Sequence, residues 1–113
     1  MQVMTTLPQE NLNDVPQAAR NAEMVGFDMV ATMENRYEPF MPLAAAAIST
    51  KTINIGTAVA IAFPRSPLVV ASTCWDLNNA SGGRFVLGLG PQIKPHNEKR
   101  FSVPWSPPAP RIR

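Results

Sequence analysis

One cysteine, one histidine and one tyrosine are found among 113 residues, and these scarcities remove whole classes of protein. Cys74 alone cannot close an intramolecular disulfide. With His96 as the only other soft ligand, there are too few groups for a structural zinc site. Long hydrophobic runs are also missing. The longest, Ile53 to Phe63, is interrupted by Asn54, Gly56 and Thr57 and closed by Pro64 and Arg65, well short of the about 18 to 20 residues that span a bilayer. No membrane contact is expected. The opening Met-Gln-Val-Met-Thr-Thr has neither the basic stretch nor the apolar segment of a signal peptide, so a cytoplasmic location is expected.

What is present is the composition of a globular domain, with 45% hydrophobic and 16% charged residues. The net charge of +2 conceals an asymmetry: residues 1–83 hold four basic and seven acidic groups, and residues 84–113 hold six basic and one acidic. The basic groups of the tail, among them Lys94, Lys99, Arg100, Arg111 and Arg113, are spread among prolines without a recognisable binding motif. No nucleic-acid partner is expected.

Along the chain, strands alternate with helices. Val3 to Leu7 reads as a strand stopped by Pro8, and Gln9 to Asn13 as a loop. A helix follows, with Asn13 as its N-cap, Pro16 in its first turn, Val15, Ala18, Ala19 and Ala22 on its inner face and Gly26 after its end. Phe27 to Met33 is the second strand and Glu34 to Glu38 a polar loop. An alanine-rich helix then places Phe40, Leu43, Ala44, Ala47 and Ile48 inward, with Lys51 at its C-terminal end. Ile53 to Ala62, apolar on both faces, is the third strand, as expected for a buried parallel sheet. Ser66 and Pro67 open a third helix that runs past Trp75 and Leu77 to Ser81-Gly82-Gly83, and Arg84 to Gly90 is the fourth strand.

Such βα repeats require parallel strands. Two closures satisfy them: an open doubly wound sheet, or the first four βα units of an eight-stranded barrel of about 250 residues. Residues 1–90 carry this rhythm. Residues 91–113 read as an irregular, proline-rich loop or insertion, because Pro91, Pro95, Pro104, Pro107, Pro108 and Pro110 exclude a helix or central strand over most of it. Only Arg111-Ile112-Arg113 resembles the opening of a further helix.

Several residues carry potential chemistry. Gly88-Leu89-Gly90 after a strand suggests the dinucleotide fingerprint, but Ile93 occupies the place of the third glycine and Pro91 and Pro95 block the phosphate-binding helix. Glu34 sits at the C-terminal end of the second strand, where barrel enzymes place catalytic groups. Its structural alternatives are to stabilise the next helix or to pair with Arg36. His96, in the loop after the fourth strand, could donate a proton near neutral pH, although no Gly-x-Ser-x-Gly elbow accompanies it. Cys74, beside Trp75, reads as packing and the scattered methionines as core filler.

Gly26-Phe27-Asp28, Glu34-Asn35-Arg36 with Pro39-Phe40, Gly56-Thr57-Ala58-Val59, and Leu77 with Ser81-Gly82-Gly83-Arg84-Phe85 and Gly88-Leu89-Gly90 together resemble the luciferase-like monooxygenase superfamily. Gln92 to His96 with Arg100-Phe101 resembles its deazaflavin-dependent branch. The resemblance implies an α/β protein, a partial (β/α)8 barrel, with FMN or coenzyme F420 held at the C-terminal mouth of the strands. It further implies an oxidoreductase of monooxygenase or hydride-transfer type acting on a small-molecule substrate. Glu34 and His96 would manage protons, Ala58, Val59 and Ala60 would lie under the ring at a bend of the third strand, and Gly88 and Gly90 would allow close approach. Tyr37 stands where related sequences often carry histidine, a departure that weakens a proton relay in that loop. The later strands that supply most of the phosphate site are absent, so the isolated chain is expected to be catalytically silent. The alternative is a non-catalytic half-barrel that covers its open edges by associating with itself, a possible homo-oligomer, or with another subunit.

Overall fold

A computed structural model describes residues 1–112. Its strands are β1 (Met4–Thr6), β2 (Met29–Thr32), β3 (Asn54–Thr57), β4 (Ala60–Ile61), β5 (Phe85–Val86) and β6 (Leu89–Gly90). Its helices are α1 (Val15–Val25), α2 (Phe40–Ser49), α3 (Pro67–Ser81) and a short α4 (Pro108–Ile112). Arg113, the last residue of the expected helix opening, lies outside the described residues.

Every strand pair is parallel, and the main sheet has the order β1-β2-β3-β5. This order decides between the two closures. A doubly wound sheet reverses direction at a switch point, whereas here each crossover steps the same way and stacks its helix beside the previous one. Accordingly α2 packs against both α1 and α3. The chain is singly wound, like the opening of a barrel.

The third and fourth strands, each expected as one piece, are both split. β3 pairs with β5 through Ile55 with Phe85 and Gly56 with Val86, and β4 pairs with β6 through Ala60 with Leu89 and Ile61 with Gly90. Between β3 and β4 the Ala58–Val59 peptide is cis. The Thr57 hydroxyl spans the break, donating to Gly88 O at 2.7 Å and accepting from Gly88 N at 2.9 Å. The fourth βα unit is represented by its strand. A π-helical turn over His96–Arg100 and then α4 follow among the described residues.

The core lies between the helices and one face of the sheet. Val15, Ala19 and Ala22 of α1 are buried as the spacing predicts, and Gly26 ends α1 with φ of 96°, a left-handed conformation that glycine adopts without strain. The N-terminal cap differs from expectation: Asn11, not Asn13, accepts a backbone N–H, opening a 3-10 turn over Leu12–Asp14 that leads into α1. In α2 the inward residues are Phe40, Pro42, Leu43, Ala46 and Ala47, while Ala44 is exposed and Ile48 is 80% exposed. A run of alanines leaves the buried face weakly marked, and it is Leu43, with its neighbours three and four residues on, that selects it.

Two polar clamps close the N-terminal end of the sheet. The Arg84 guanidinium donates to Ala47 O, Thr50 O, Ile53 O and Ser81 O. This cation, rather than Lys51, holds the last carbonyls of α2. On the other side Glu23 Oε1 accepts from the backbone N–H groups of Lys51, Thr52 and Ile53 and from the Thr52 hydroxyl. Burial acts upward on the Glu23 carboxyl, but the bonds it accepts outweigh that effect and hold its pKa at about 2, against an ordinary 4.5. Because the folded value is depressed, this stabilisation is complete above the ordinary value and disappears as pH falls from about 4.5 towards 2. Glu23→Gln is therefore expected to lower stability at neutral pH by about 1 kcal/mol. It should also flatten the acid limb of a urea-denaturation series collected across that pH window.

Candidate active site at the C-terminal mouth of the sheet

All strands point their C-terminal ends to one side, and there β2, the break between β3 and β4, and the end of β6 converge. They enclose a pocket of about 230 Å³ lined by Met33, Glu34, Asn35, Ala58, Val59, Ile61, Gly90, Pro91 and Gln92. Met33 and Asn35 also wall a neighbouring pocket of about 350 Å³ with Leu7, Gln9, Arg36 and Tyr37. The Gln9 amide oxygen accepts from Met33 N at 3.1 Å, so the loop after β1 is tied to the end of β2.

Glu34 is 6% exposed. Its Oε2 accepts from Ile61 N and from Arg65 Nη1, each at 2.6 Å, and Arg65 Nη1 also donates to Ile61 O at 2.8 Å. The carboxylate thus joins the end of β2 to β4 and to the loop that enters α3. Neither structural alternative suggested by the sequence is adopted. Arg65 is the ionic partner, while Arg36 lies 5.7 Å from the Tyr37 ring. The start of α2 is satisfied by Glu38, whose Oε2 accepts from Phe40 N at 2.7 Å and Met41 N at 2.8 Å. Both side-chain bonds to Glu34 fall on Oε2, and the residue lines the pocket.

The structure brings Glu34, Ala58, Val59 and Gly90 together and leaves three other candidates apart. Ala60 is fully buried within β4. Gly88 is occupied by the protein itself, since a Cβ there would overlap Thr57 O, and at Gly90 a Cβ would lie 2.8 Å from Val59 Cγ2. His96 is exposed at the head of the π-helical turn, outside the pocket wall. Sequence reasoning missed Arg65, read there only as a strand stop, and gave no structural role to Thr57, which entered as an interruption of an apolar run and as part of the Gly56-Thr57-Ala58-Val59 motif. It also missed Asn97, which is fully buried and donates to Pro91 O at 2.9 Å and Ile93 O at 3.1 Å, folding the segment beside the pocket. A polar residue at the last position of each paired strand, Thr32 opposite Thr57, was the available signal.

A larger groove of about 450 Å³ lies between α3 and β6, lined by Phe63, Val70, Cys74, Leu87, Leu89 and Ile112 among others. Its two guanidinium groups are already engaged, Arg65 by Glu34 outside the groove and Arg111 by Phe63 O within its wall. Burial pushes the Cys74 thiol up, away from the reactive thiolate. The converging polar groups are at the mouth, not in this groove.

A luciferase-like monooxygenase family model matches residues 1–113. The chain belongs to the luciferase-like monooxygenase family. An uncharacterized protein of Mycobacterium tuberculosis strain H37Rv is 51% identical over 96 residues, which are 85% of this chain and 28% of that protein. The coenzyme F420-dependent tetrahydromethanopterin reductase of Methanopyrus kandleri superposes with a TM-score of 0.77 at 28% identity, over 88% of this chain and 29% of its own. The oxygenating constituent of Pseudomonas putida 3,6-diketocamphane monooxygenase, solved with FMN, shares the fold with a TM-score of 0.75 at 20% identity, over 92% of this chain and 33% of its own. The architecture is therefore that of the first part of a (β/α)8 barrel. The chain spans less than a third of the length of the curated relatives it matches.

Removing one partner of the Glu34–Arg65 pair leaves the other charge partly buried and unpaired, which is costly. Glu34→Leu and Arg65→Met are each expected to lose about 3 kcal/mol in urea denaturation, and the double variant less than the sum of the two.

Proposed function

We propose that this chain supplies the ring-facing end of the cofactor site in an F420- or FMN-dependent oxidoreductase, acting by hydride transfer or as a monooxygenase on a small-molecule substrate. The observation that carries this reading is the convergence of Glu34, Ala58, Val59 and Gly90 on one pocket at the C-terminal ends of parallel strands, the face on which barrel enzymes place their chemistry.

The lining suits a flat aromatic ring and not its phosphate. Val59 is 45% and Met33 42% exposed, giving apolar surface for a ring face. Among the described residues no lysine or arginine lines this pocket, so none of them would neutralise a phosphate there. Its volume of about 230 Å³ is also below the roughly 300 to 1,000 Å³ of a complete small-molecule site. When bound, a deazaflavin exchanges a hydride with substrate, and a reduced flavin activates oxygen. The chain's own part is positional. Glu34, fixed through Oε2, would hold or pass a proton at Oε1, and the Gln9–Met33 bond would keep the adjoining pocket open for substrate. His96 remains a second proton carrier, at the solvent side of the segment that Asn97 folds. The phosphate-bearing portion of the site would come from residues beyond this set, and the chain by itself has little activity.

The test is a ¹H–¹⁵N chemical-shift titration of the purified chain with FMN and, separately, F420, together with a turnover assay. Weak binding that perturbs Glu34, Ala58, Val59 and Gly90, without turnover, is expected. Shifts centred on the α3–β6 groove, no shifts with either cofactor, or stoichiometric binding with turnover would each contradict the reading.

A further inference from the structure

We infer that the pocket beside the ring site is a carboxylate subsite, in which Arg36 receives the acid group of an otherwise apolar substrate. This names a substrate class for the proposed oxidoreductase and so rests on that reading. The pocket holds about 350 Å³ between the loop after β1 and the loop after β2, and it shares Met33 and Asn35 with the ring pocket. A molecule anchored there would lie beside the ring, where a reacting substrate has to be held.

The wall offers donors that lack acceptors. The Arg36 side chain is exposed and makes no ion pair or hydrogen bond with another described residue, whereas Arg65 is taken by Glu34 and Glu38. The Arg36 guanidinium lies 5.7 Å from the centre of the Tyr37 ring. Tyrosine in place of the histidine of related sequences thus gives the cation a ring to rest on, which steadies it without consuming its N–H groups. Gln9 gives a second and independent sign. Its Oε1 must face Met33 N, because only the oxygen of an amide can accept from that N–H. The Nε2 group is thereby committed to the other direction, and it is buried without a partner. A buried donor with no acceptor is costly, so this wall is short of an oxygen.

The charge pattern selects the kind of oxygen. A planar guanidinium matches the two oxygens of a carboxylate in a paired fork. Glu10 is exposed in the same wall and offsets the charge of Arg36, which disfavours a doubly charged phosphate. A neutral carbonyl would use one donor and gain little from the cation. Leu7, Pro8 and Met33 form the apolar part of the lining, suited to a hydrocarbon or aromatic body behind the acid group.

A ¹H–¹⁵N titration of the full chain with sodium benzoate, at constant ionic strength and with no flavin or deazaflavin present, tests the subsite by itself. Saturable shifts are expected at Gln9, Met33, Asn35, Arg36 and Tyr37, including the Gln9 side-chain amide. Benzamide, the neutral isostere, and inorganic phosphate should each bind about tenfold more weakly. Arg36→Gln should weaken benzoate binding by about tenfold, with circular dichroism unchanged because the side chain is exposed. Glu10→Gln should tighten it by removing a like charge. Equal affinity for benzamide, tighter binding of phosphate, an unaltered benzoate affinity in Arg36→Gln, shifts centred on the α3–β6 groove, or no saturable shift would each overturn the assignment. Benzoate binding at Arg36 in a chain that responds to neither FMN nor F420 would instead support the subsite and contradict the cofactor reading.

Discussion

One oxygen atom, Glu34 Oε2, holds the mouth of the sheet in shape. It accepts from the Ile61 backbone and the Arg65 guanidinium, and so fixes the end of β2, the detached β4 and the entry to α3 relative to one another. Burying a carboxylate costs several kcal/mol unless its lone pairs are met by well-placed donors. Here the donors are a main-chain N–H and a guanidinium that itself bonds Ile61 O. The Thr57 hydroxyl does the same for the other half of the break, replacing ladder bonds between β3 and the strand segments opposite it. A split strand would otherwise leave backbone groups unpaired at the break.

The two ends of the sheet are therefore built from the same chemistry for different purposes. At the N-terminal end, Arg84 and Glu23 bond mainly to backbone groups and line no pocket at the mouth, so they contribute stability. At the C-terminal end, Glu34 holds the mouth through one oxygen and also lines a cavity. This division matches the logic of barrel proteins, in which the loops after the strands carry chemistry and the opposite face carries the fold.

The βα rhythm was legible in the sequence because strands and helices differ in period and glycines marked the helix ends. Gly26 and Gly82 both adopt left-handed conformations at those ends. The rhythm alone left two closures open, because strand order is a property of the sheet; the family resemblance implied the barrel, and the observed β1-β2-β3-β5 succession bears it out. Sequence placed Glu34 at the mouth from its position after a strand. It could not supply Arg65, 31 residues away, because pairing over that distance is fixed by packing. Nor could a run of alanines identify the buried face of α2, which left Ile48 assigned inward when it points out. Gly88 and Gly90 followed the family pattern, yet the neighbours that exclude a side chain there are Thr57 and Val59 of this chain.

On the proposed function, the mouth is preformed for the flat ring, and no described lysine or arginine stands there to hold its phosphate. A crystal structure of the chain with lumiflavin, the ring without its phosphate tail, tests it most directly. The ring is expected against Val59, between Glu34 and Gly90, with the Glu34–Arg65 pair unchanged. A ring seated in the groove between α3 and β6, or a mouth that must break that pair to admit it, would contradict the account.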